Sequence, residues 1–462
     1  MGQRPKMFQR VGRFEQEWEE LIDEYLPIGV KDSTWRYSRY SRKDDPEQGW
    51  KLHLTATVLS AGPTLRSVGP FLTRRGLMFK APVTLRELSR LNCGLEYGFS
   101  QVGKFITVYP RTAEEAVSLA RSLDRLTRAY TGPRVPYDRQ FQPNSSVYYR
   151  YGGFQPLYIQ HRNGQRSDAI RGPKGRLIKD SRTAGAAIPK WLRDPFVDAS
   201  PGRRFQAAGP SPLKKTILVY DAMSQRGKGG VYRALDISVS PGRLCVLKEG
   251  RRNGETEWDG RDGYWHVKHE ARVLTQLRAH SVPVPAVYRR FEVEGNYYLA
   301  MEFVEGASLH QLLVNKSQKL KLAAAIQYGL MLARLLYRIH RAGWAWRDCK
   351  PTNIIVTKSQ TLVPLDFEGA CRLARPDPMP WGTPGYVSYD DQPKTNDLYA
   401  LGSVLHQLVS GRVPTLGRPQ GEALKLGRRV PAALMQVISS LLSPVPDHRP
   451  SAFRVAQILK TL

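Results

Sequence analysis

The stretch Trp346-Arg347-Asp348-Cys349-Lys350-Pro351-Thr352-Asn353 decides the fold of the second half of the chain. In a loop of this kind an Asp accepts the proton of an attacking hydroxyl, and a Lys two residues later neutralises the moving phosphate. An Asn five residues after the Asp can hold a metal ion, as can the Asp of the following Asp366-Phe367-Glu368. The order and spacing predict a phosphoryl-transfer site in which Asp348 and Lys350 are catalytic and Asn353 and Asp366 bind metal.

Four segments upstream of this loop follow in the order expected of a nucleotide site. They are Gly227-Lys228-Gly229-Gly230-Val231-Tyr232-Arg233-Ala234, Val246-Leu247-Lys248, His269-Glu270 and Met301-Glu302-Phe303-Val304. Glycines let backbone amides approach phosphates, a Lys oriented by a Glu holds two phosphates, and the last segment reads the base through its backbone. The predicted nucleotide-binding residues are Gly227, Gly229, Gly230, Val231, Lys248, Glu270, Glu302 and Val304.

Three later motifs, Trp381-Gly382-Thr383-Pro384-Gly385-Tyr386, Asp397-Leu398-Tyr399-Ala400-Leu401-Gly402 and His448-Arg449-Pro450, complete a resemblance to eukaryotic-like Ser/Thr kinases over residues 213–462. The resemblance implies a bilobal fold, with an N-lobe over 213–304 and a C-lobe over 305–462. It also implies ATP or GTP with Mg²⁺ as cofactors. Two residues depart from the family pattern: Trp346 stands where His is usual, and Glu368 stands where Gly is usual.

The first half begins with a different pattern, a strictly alternating stretch from Trp50 to Val58. Alternation predicts a half-buried strand that carries Lys51 and His53 on its open face. Further strands are predicted over 77–80 and 103–109, and helices over 14–26 and 63–76. Thr112 and Glu115 form a capping box, which predicts a helix starting there. We expect an α+β domain over residues 1–159.

Five cations and one histidine lie on or near these strands. They are Lys51, His53, Lys80, Lys104, Arg139 and Arg150. Such a set suits a doubly charged phosphate ester better than a neutral substrate. Taken singly, each residue is better explained as an exposed charge on a strand, so the prediction rests on the joint pattern.

The motifs around these residues resemble the N-terminal lyase domain of class III and class IV lanthipeptide synthetases, which is similar to the phosphothreonine lyases of bacterial effectors. They are Lys51-Leu52-His53, Phe79-Lys80, the stretch 103–110 and Tyr149-Arg150-Tyr151-Gly152-Gly153. The resemblance implies β-elimination of phosphate from phosphoserine or phosphothreonine. It implies Lys80 as the base and His53 as the acid. Phosphate binding falls to Lys51, Lys104, Arg139 and Arg150.

Residues 160–212 combine recurrent Gly and Pro with a strong excess of positive charge. We predict a basic connector that packs partly on its neighbours, guiding a phosphorylated peptide or serving as a plain linker. Over the whole chain, 70 Lys and Arg against 41 Asp and Glu give a net charge of +29. That balance is typical of a protein with an acidic or phosphorylated partner or with nucleic acid as its partner, and equally of a basic surface kept for solubility; the charge alone does not separate these.

Four widely spaced cysteines without a Cys-x-x-Cys pair argue against a disulfide framework or a structural zinc site. No signal peptide is apparent, and no apolar run approaches the length of a membrane span. We therefore expect a cytoplasmic protein without membrane contact. The absence of a nucleic-acid motif ranks DNA or RNA binding last.

The two predicted sites are complementary, because a kinase makes the phosphoserine and phosphothreonine that the lyase consumes. Together they predict a peptide dehydratase of lanthipeptide biosynthesis acting on a Ser/Thr-rich precursor with a leader. The family's third domain, a zinc cyclase, has no counterpart in the pattern of cysteines. A separate cyclase, natural loss of one and a shortened chain all stay open. The alternative is a signalling Ser/Thr kinase whose N-terminal half only binds phosphorylated or acidic ligands.

Overall fold

The computed structural model describes residues 3–29, 34–185, 187–198, 212–314, 320–388, 390, 392–414 and 430–462. The N-terminal half is built on an antiparallel seven-stranded sheet in the order β1-β2-β4-β5-β3-β7-β6. Its strands are β1 (Ile28–Gly29), β2 (Trp35–Tyr37), β3 (Gln48–Leu54), β4 (Met78–Pro82), β5 (Ile106–Tyr109), β6 (Arg139–Gln140) and β7 (Val147–Gly153). Strands β4, β5, β3 and β7 lie side by side although other segments separate them in the chain.

Helices cover one face of this sheet. They are α1 (Gln3–Tyr25), α2 (Ala61–Arg74), α3 (Leu85–Cys93) and α4 (Ala113–Thr127). Leu52, Leu54 and Phe79 point into the core that the helices close, and none has measurable exposure. Because strand side chains alternate, the residues between them point to the opposite face. The predicted start of α4 is confirmed, since Thr112 accepts a hydrogen bond from the amide of Glu115 at 3.1 Å.

The segment predicted as a basic connector contains regular structure. A three-stranded antiparallel sheet forms from β8 (Tyr158–Gln160), β9 (Arg166–Arg171) and β10 (Leu177–Lys179), and a short helix α5 (Pro195–Asp198) follows. Asp180, directly after β10, binds the buried Arg150 of β7 at 2.5 Å. Residues 160–185 and 187–198 therefore belong structurally to the N-terminal domain, which corrects the predicted boundary at 159. Residues 186 and 199–211 of that connector lie outside the described residues.

The C-terminal half has two lobes. The small lobe is a five-stranded antiparallel sheet in the order β11-β12-β13-β15-β14, with one helix, α6, against it. Its elements are β11 (Ile217–Arg226), β12 (Gly229–Asp236), β13 (Arg243–Gly250), α6 (Gly263–Ala279), β14 (Val287–Val293) and β15 (Asn296–Glu302). Strands β11 and β12 join in a tight turn at Gly227 and Lys228, because Arg226 pairs with Gly229.

The large lobe is mainly helical, with short strands that carry the predicted catalytic loop. Its elements are β16 (Gly306–Ser308), α7 (Leu309–Val314), α8 (Leu322–Arg341), β17 (Trp344–Ala345), β18 (Ile354–Thr357), β19 (Leu362–Pro364), β20 (Cys371–Arg372), α9 (Pro393–Ser410), α10 (Ala432–Leu441) and α11 (Ala452–Leu459). The mixed helix and sheet content, with an N-terminal domain before a bilobal one, confirms the predicted fold class.

Among the described residues, helix α8 is long and apolar enough to cross a membrane by length and composition. This corrects the expectation that no segment approaches a span. The helix packs against α9 and α11 and buries Leu332, Leu336 and Ile339 completely. We interpret α8 as the core helix of the large lobe, because a central helix of a globular domain is apolar for the same reason.

Candidate active sites

The catalytic loop converges on the carboxylate of Asp348. Its Oδ2 accepts a hydrogen bond from Asn353 Nδ2 at 2.8 Å and lies 2.8 Å from Lys350 Nζ. Its Oδ1 accepts from the hydroxyl of Thr383 at 2.8 Å, and Lys350 also donates to that hydroxyl at 2.7 Å. The loop thus fixes a carboxylate beside an ammonium group, the arrangement required to take a hydroxyl proton while neutralising a phosphate.

Trp346, which stands where the kinase pattern has His, ties the catalytic loop to the second metal-binding motif. Its indole Nε1 donates to the carbonyls of Leu365 at 3.2 Å and Asp366 at 3.0 Å. Its ring stacks on Phe367 with the centroids 5.5 Å apart. Its backbone amide donates to Asp397 at 2.8 Å. Trp346 therefore supplies both a hydrogen-bond donor and an aromatic face. With Trp in place of His, the backbone at Asp366 is still held beside the catalytic loop.

Lys248 and Glu270 form the ion pair that the sequence predicts. The ammonium Nζ lies 2.9 and 2.7 Å from the two carboxylate oxygens of Glu270, and 3.4 Å from Asp366. Burial alone would lower the pKa of Lys248, but the surrounding carboxylates, Asp366 first, raise it well above its usual range. Burial raises the pKa of Glu270, and Lys248 opposes that rise. Lys248 is therefore held charged in the cleft.

A cavity of about 600 Å³ lies between the two lobes. The predicted nucleotide residues that line it are Gly229, Gly230, Val231, Lys248, Glu302 and Val304, together with Asn353 and Asp366. Val246 and Leu365 also line the cavity, so a base can be enclosed by apolar side chains while its phosphates meet Lys248. Gly227 and Glu270 are not on this lining; they support the turn and Lys248 from outside it.

The residues present fit a divalent metal ion. Asp366 and Asn353 offer oxygen ligands, the type that Mg²⁺ prefers, at the end of the cavity where phosphates would lie. Within the described part of the chain, ligand atoms of Glu270, Asp366 and Glu368 also lie within 4.8 Å of one another. Lys248 contacts all three carboxylates, which identifies that cluster as an ion-pair network around a lysine.

The segment after Phe367 is held by a carboxylate. Asp377 lies 2.5 Å from Nη1 of Arg261 and 3.4 Å from Nη1 of Arg347, the residue directly before Asp348. Burial would raise the pKa of Asp377, but its hydrogen bond to Arg261 and the nearby guanidinium groups lower it. A permanent negative charge therefore joins the segment to both the small lobe and the catalytic loop.

In the N-terminal domain, the register brings four of the six predicted site residues to the sheet face opposite the helices. Lys80 pairs with Thr107, Thr107 with His53, and His53 with Tyr148, which places all four side chains in one row. In the next row, Lys51 of β3 pairs with Arg150 of β7. Paired residues of antiparallel strands point to the same face. Lys51, His53, Lys80 and Arg150 therefore share one surface.

Asp138 organises the middle of this surface. Its carboxylate lies 2.5 Å from Nδ1 of His53 and 3.6 Å from Nζ of Lys104. Burial lowers the pKa of His53 to about 4, although Asp138 raises it. Burial lowers the pKa of Lys104 to about 8 against the same carboxylate. Because Asp138 occupies Nδ1, the other ring nitrogen of His53 is the one available to a ligand.

Lys51 is a desolvated amine. Burial, followed by repulsion from Lys80 and Arg150, lowers the pKa of Lys51 to about 7. Its Nζ lies 5.7 Å from the centroid of the Tyr109 ring. Arg150 differs, because it is paired with Asp180 at 2.5 Å. A bound anion would supply the negative charge that Asp180 supplies to Arg150.

Lys80 stands at the far side of the row from Tyr148. Its Nζ lies 3.9 Å from the centre of the Trp35 ring, a cation–π distance. Lys80 and His53 are separated by one intervening strand, β5, so their backbones are about 10 Å apart at the usual strand spacing. A ligand between them would meet an amine on one side and an imidazole on the other.

Comparison with known proteins identifies the C-terminal half. The family model described as "Protein kinase domain" matches residues 223–460. The chain belongs to the protein kinase family. A second family model, described as "RamC, N-terminal domain", matches residues 28–208. The domain pair implied by the resemblance is therefore confirmed, and the second match includes most of the segment predicted as a connector.

Curated relatives divide in the same way. "Probable SapB synthase" of Streptomyces coelicolor is 28% identical over 79% of this chain and 40% of its own length. "Serine/threonine-protein kinase PkaA" of the same organism is 32% identical over 54% of this chain and 50% of its own length. "Serine/threonine-protein kinase pkn2" of Myxococcus xanthus is 30% identical, with 31% of its length covered. The kinase chain thus spans half or less of these relatives.

One predicted site residue of this kinase lies elsewhere. Arg139 pairs with Tyr149, whose ring is in the core, whereas its neighbour Gln140 pairs with Tyr148 of the site row. Arg139 therefore points to the opposite face, where it is exposed and binds Asp194 at 2.8 Å. The expectation that Arg139 lies among the phosphate-binding cations is corrected, since a shift of one residue along a strand reverses the face.

Three residues of these sites were not assigned from the sequence. Asp138 and Asp180 bind site cations, and Thr383 binds Asp348. Thr383 stands in a kinase motif, which was a usable signal. The two aspartates lie far along the chain from their partners, and only the strand register brings them together.

A cleft of about 940 Å³ runs between the two domains of this kinase. Its lining includes Asp138 and Tyr148 beside the N-terminal site, and Gly227 and Arg251 of the kinase small lobe. The cleft therefore borders residues next to the N-terminal site on one side and the start of the nucleotide-loop turn on the other.

Proposed function

We propose that this chain is a bifunctional peptide dehydratase of lanthipeptide biosynthesis, which phosphorylates Ser and Thr of a precursor peptide and then eliminates the phosphate. The observation that carries the proposal is a second group of buried cations, in the N-terminal domain, whose net charge matches that of a phosphate ester. It occurs in a chain that already has a kinase centre. A signalling Ser/Thr kinase with a purely binding N-terminal domain is the alternative, and it is favoured by the relatives that are Ser/Thr kinases.

The first step is phosphoryl transfer. Asp348 takes the proton of the Ser or Thr hydroxyl while the hydroxyl oxygen forms a bond to the terminal phosphorus of ATP or GTP, and the bond from that phosphorus to the bridging oxygen of the nucleoside diphosphate breaks. Lys350 neutralises charge on the transferred group, and Lys248, set by Glu270, holds the remaining phosphates. Mg²⁺ bound by Asp366 and Asn353 would supply further positive charge. The products are the phosphorylated peptide and the nucleoside diphosphate.

The charge balance of the N-terminal site supports the second step. Lys51, Lys80, Lys104 and Arg150 can contribute four positive charges, and Asp138 and Asp180 contribute two negative ones, so 4 − 2 leaves +2. A phosphomonoester carries close to two negative charges at neutral pH. Binding of such an ester would balance the site and would raise the proton affinity of Lys51, whose pKa burial lowers to about 7.

The positions of Lys80 and His53 suit elimination. Lys80 would remove the proton from Cα of the phosphorylated residue, the Cα–Cβ double bond would form, and the Cβ–O bond would break. The phosphate would leave with a proton from His53, held by Asp138. Burial lowers the pKa of His53 to about 4 in the free protein. The bound phosphate dianion therefore has to raise it before His53 can act as an acid.

The proposed substrate is a Ser/Thr-rich peptide with a leader. A synthase among the relatives supports a peptide substrate, and the cleft between the domains supports movement of the phosphorylated peptide from one site to the other. A separate cyclase would act on the product. We also propose a cytoplasmic location, supported by four cysteines that are all free thiols.

Mass spectrometry of a treated peptide tests the proposal. With Mg²⁺ and nucleotide, the wild-type protein should yield peptide lighter by one water for each modified Ser or Thr. The Lys80→Ala variant should accumulate phosphorylated peptide instead. A wild-type protein that only adds phosphate, under ATP and under GTP, would favour the signalling kinase.

A further inference from the structure

The tip of the nucleotide loop carries a lysine that points into the active site. Lys228 lies in the tight turn between β11 and β12, and its ammonium group binds the carboxylate of Glu368. Both residues line the nucleotide cavity. The side chain of Glu368 is 6% exposed and that of Lys228 is 22% exposed, so the pair lies inside the cleft.

Glu368 also connects this lysine to the centre of the kinase site. Its Oε1 lies 3.5 Å from Nζ of Lys248, and Lys248 Nζ lies 3.4 Å from Oδ1 of Asp366. One carboxylate therefore separates the ammonium groups of Lys228 and Lys248. An ammonium group so close to Lys248 and Asp366 is within the region where the phosphates of a nucleotide have to lie.

The Glu at position 368 accounts for the position of Lys228. A Gly there, as in the usual pattern, would leave the Lys228 ammonium without this carboxylate, and a long flexible lysine on a turn would extend into water. Glu368 keeps the ammonium in the cleft and compensates its charge while the phosphates are absent. Glu368 is not among the described residues with positive φ, so its backbone is one that Glu adopts readily.

We infer that Lys228 is a second phosphate-binding lysine, which contacts the terminal phosphate of the nucleotide, and that Glu368 is the residue that positions it. The inference rests on the kinase function proposed above. A contact at the end of the phosphate chain would distinguish a nucleoside triphosphate from a diphosphate. After transfer, loss of that contact would favour release of the diphosphate.

Nucleotide binding by the full chain tests the inference independently of turnover. Isothermal titration in Mg²⁺ with a non-hydrolysable ATP analogue, ADP and adenosine measures the three affinities. Lys228→Met should weaken the analogue on the order of 10- to 100-fold, ADP by much less, and adenosine not at all. Lys228→Arg should restore most of the affinity for the analogue. Lys358→Met is the matched control, since it removes an exposed lysine paired with Glu305 outside the cavity.

The role of Glu368 is tested by a double-mutant cycle on the same titrations. Glu368→Gln should weaken the analogue, and the Lys228→Met/Glu368→Gln double variant should be no weaker than Lys228→Met alone. Equal losses for analogue and ADP, or none, with adenosine binding intact, would overturn the inference. Failure of the wild-type protein to bind adenosine or either nucleotide would instead overturn the kinase assignment.

Discussion

The backbone amide of Gly227 donates a hydrogen bond to the carbonyl of Cys93 across 2.9 Å. Cys93 ends helix α3 of the N-terminal domain, and Gly227 begins the turn of the kinase nucleotide loop. A Cβ at position 227 would lie 1.6 Å from the carbonyl oxygen of Asn92. The N-terminal domain therefore packs so closely against the nucleotide loop that only glycine fits at position 227.

Gly227→Ala should weaken nucleotide binding through this contact, because the added methyl group has to push the loop away from α3. We expect KM for the nucleotide to rise about tenfold or more, a change that corresponds to about 1.4 kcal/mol. The initial rate of peptide phosphorylation measures it. Gly12→Ala, whose Cβ would have no neighbour within 4 Å, should leave KM unchanged. An unchanged KM in Gly227→Ala would show that the contact does not constrain the loop.

Anion binding at the N-terminal site should depend on pH through Lys51. Burial lowers the pKa of Lys51 to about 7, so the amine is charged below that pH and neutral above it in the free protein. A dianion binds the charged form, and affinity should therefore fall by up to about tenfold per pH unit as the pH rises above 7. Titration with sulfate, whose own charge is constant over this range, measures the effect.

The control for that titration is Lys51→Met, which should bind sulfate weakly at every pH and lose the part of the slope that begins near pH 7. Lys51→Arg should bind with little pH dependence between 6 and 7.5, and the fall that remains at higher pH belongs to Lys104, whose pKa burial lowers to about 8. Sulfate affinity in the wild-type protein that does not change from pH 6 to 9 would contradict the role of Lys51.

Two neighbouring arginines should differ in their effect on elimination, because they point to opposite faces of the sheet. Arg150→Met should slow loss of phosphate from a phosphopeptide by about 10- to 100-fold, the cost of one charged hydrogen bond or more. Arg139→Met should stay within about twofold of the wild-type protein, since Arg139 binds Asp194 on the other face. Release of inorganic phosphate measures both rates. The reverse order would restore Arg139 to the site.

Asp377 should keep the kinase active without phosphorylation of the segment after Phe367. Asp377→Asn removes the charge that joins Arg261 and Arg347, and we expect the phosphorylation rate to fall about tenfold. Asp377→Glu should retain more activity, and Asp447→Asn, an exposed site, should be neutral. The rates are compared on phosphatase-treated protein. Inactivation of the wild-type protein by phosphatase would contradict a constitutive role for Asp377.

The kinase centre was largely predictable because its motifs are local and ordered. Asp348, Lys350 and Asn353 lie within six residues of chain, and the structure brings them together as predicted. The contact between Thr383 and Asp348 was not predicted, because it depends on how the segment after Phe367 folds back over the catalytic loop.

The N-terminal site was predictable only along single strands. Alternation placed Lys51 and His53 on one face, since side chains repeat every two residues. Which side chains meet across the sheet depends on a non-sequential strand order and on register, which the sequence does not state. That is why Asp138 was missed as the partner of His53 and why Arg139 was placed in the phosphate-binding set although it points to the other face. The short charged strands β8 to β10 show no alternation and looked like a connector.

The most direct test of the account uses a synthetic phosphoserine peptide and no nucleotide, which removes the kinase step. The wild-type protein and Asp348→Asn should both convert the peptide to dehydroalanine and release inorganic phosphate, and Lys80→Ala should do neither. The result that would contradict the account is an intact phosphopeptide after incubation with the wild-type protein, even when the peptide has the precursor's own sequence and its leader is present. One chain would then not add a phosphate and expel it.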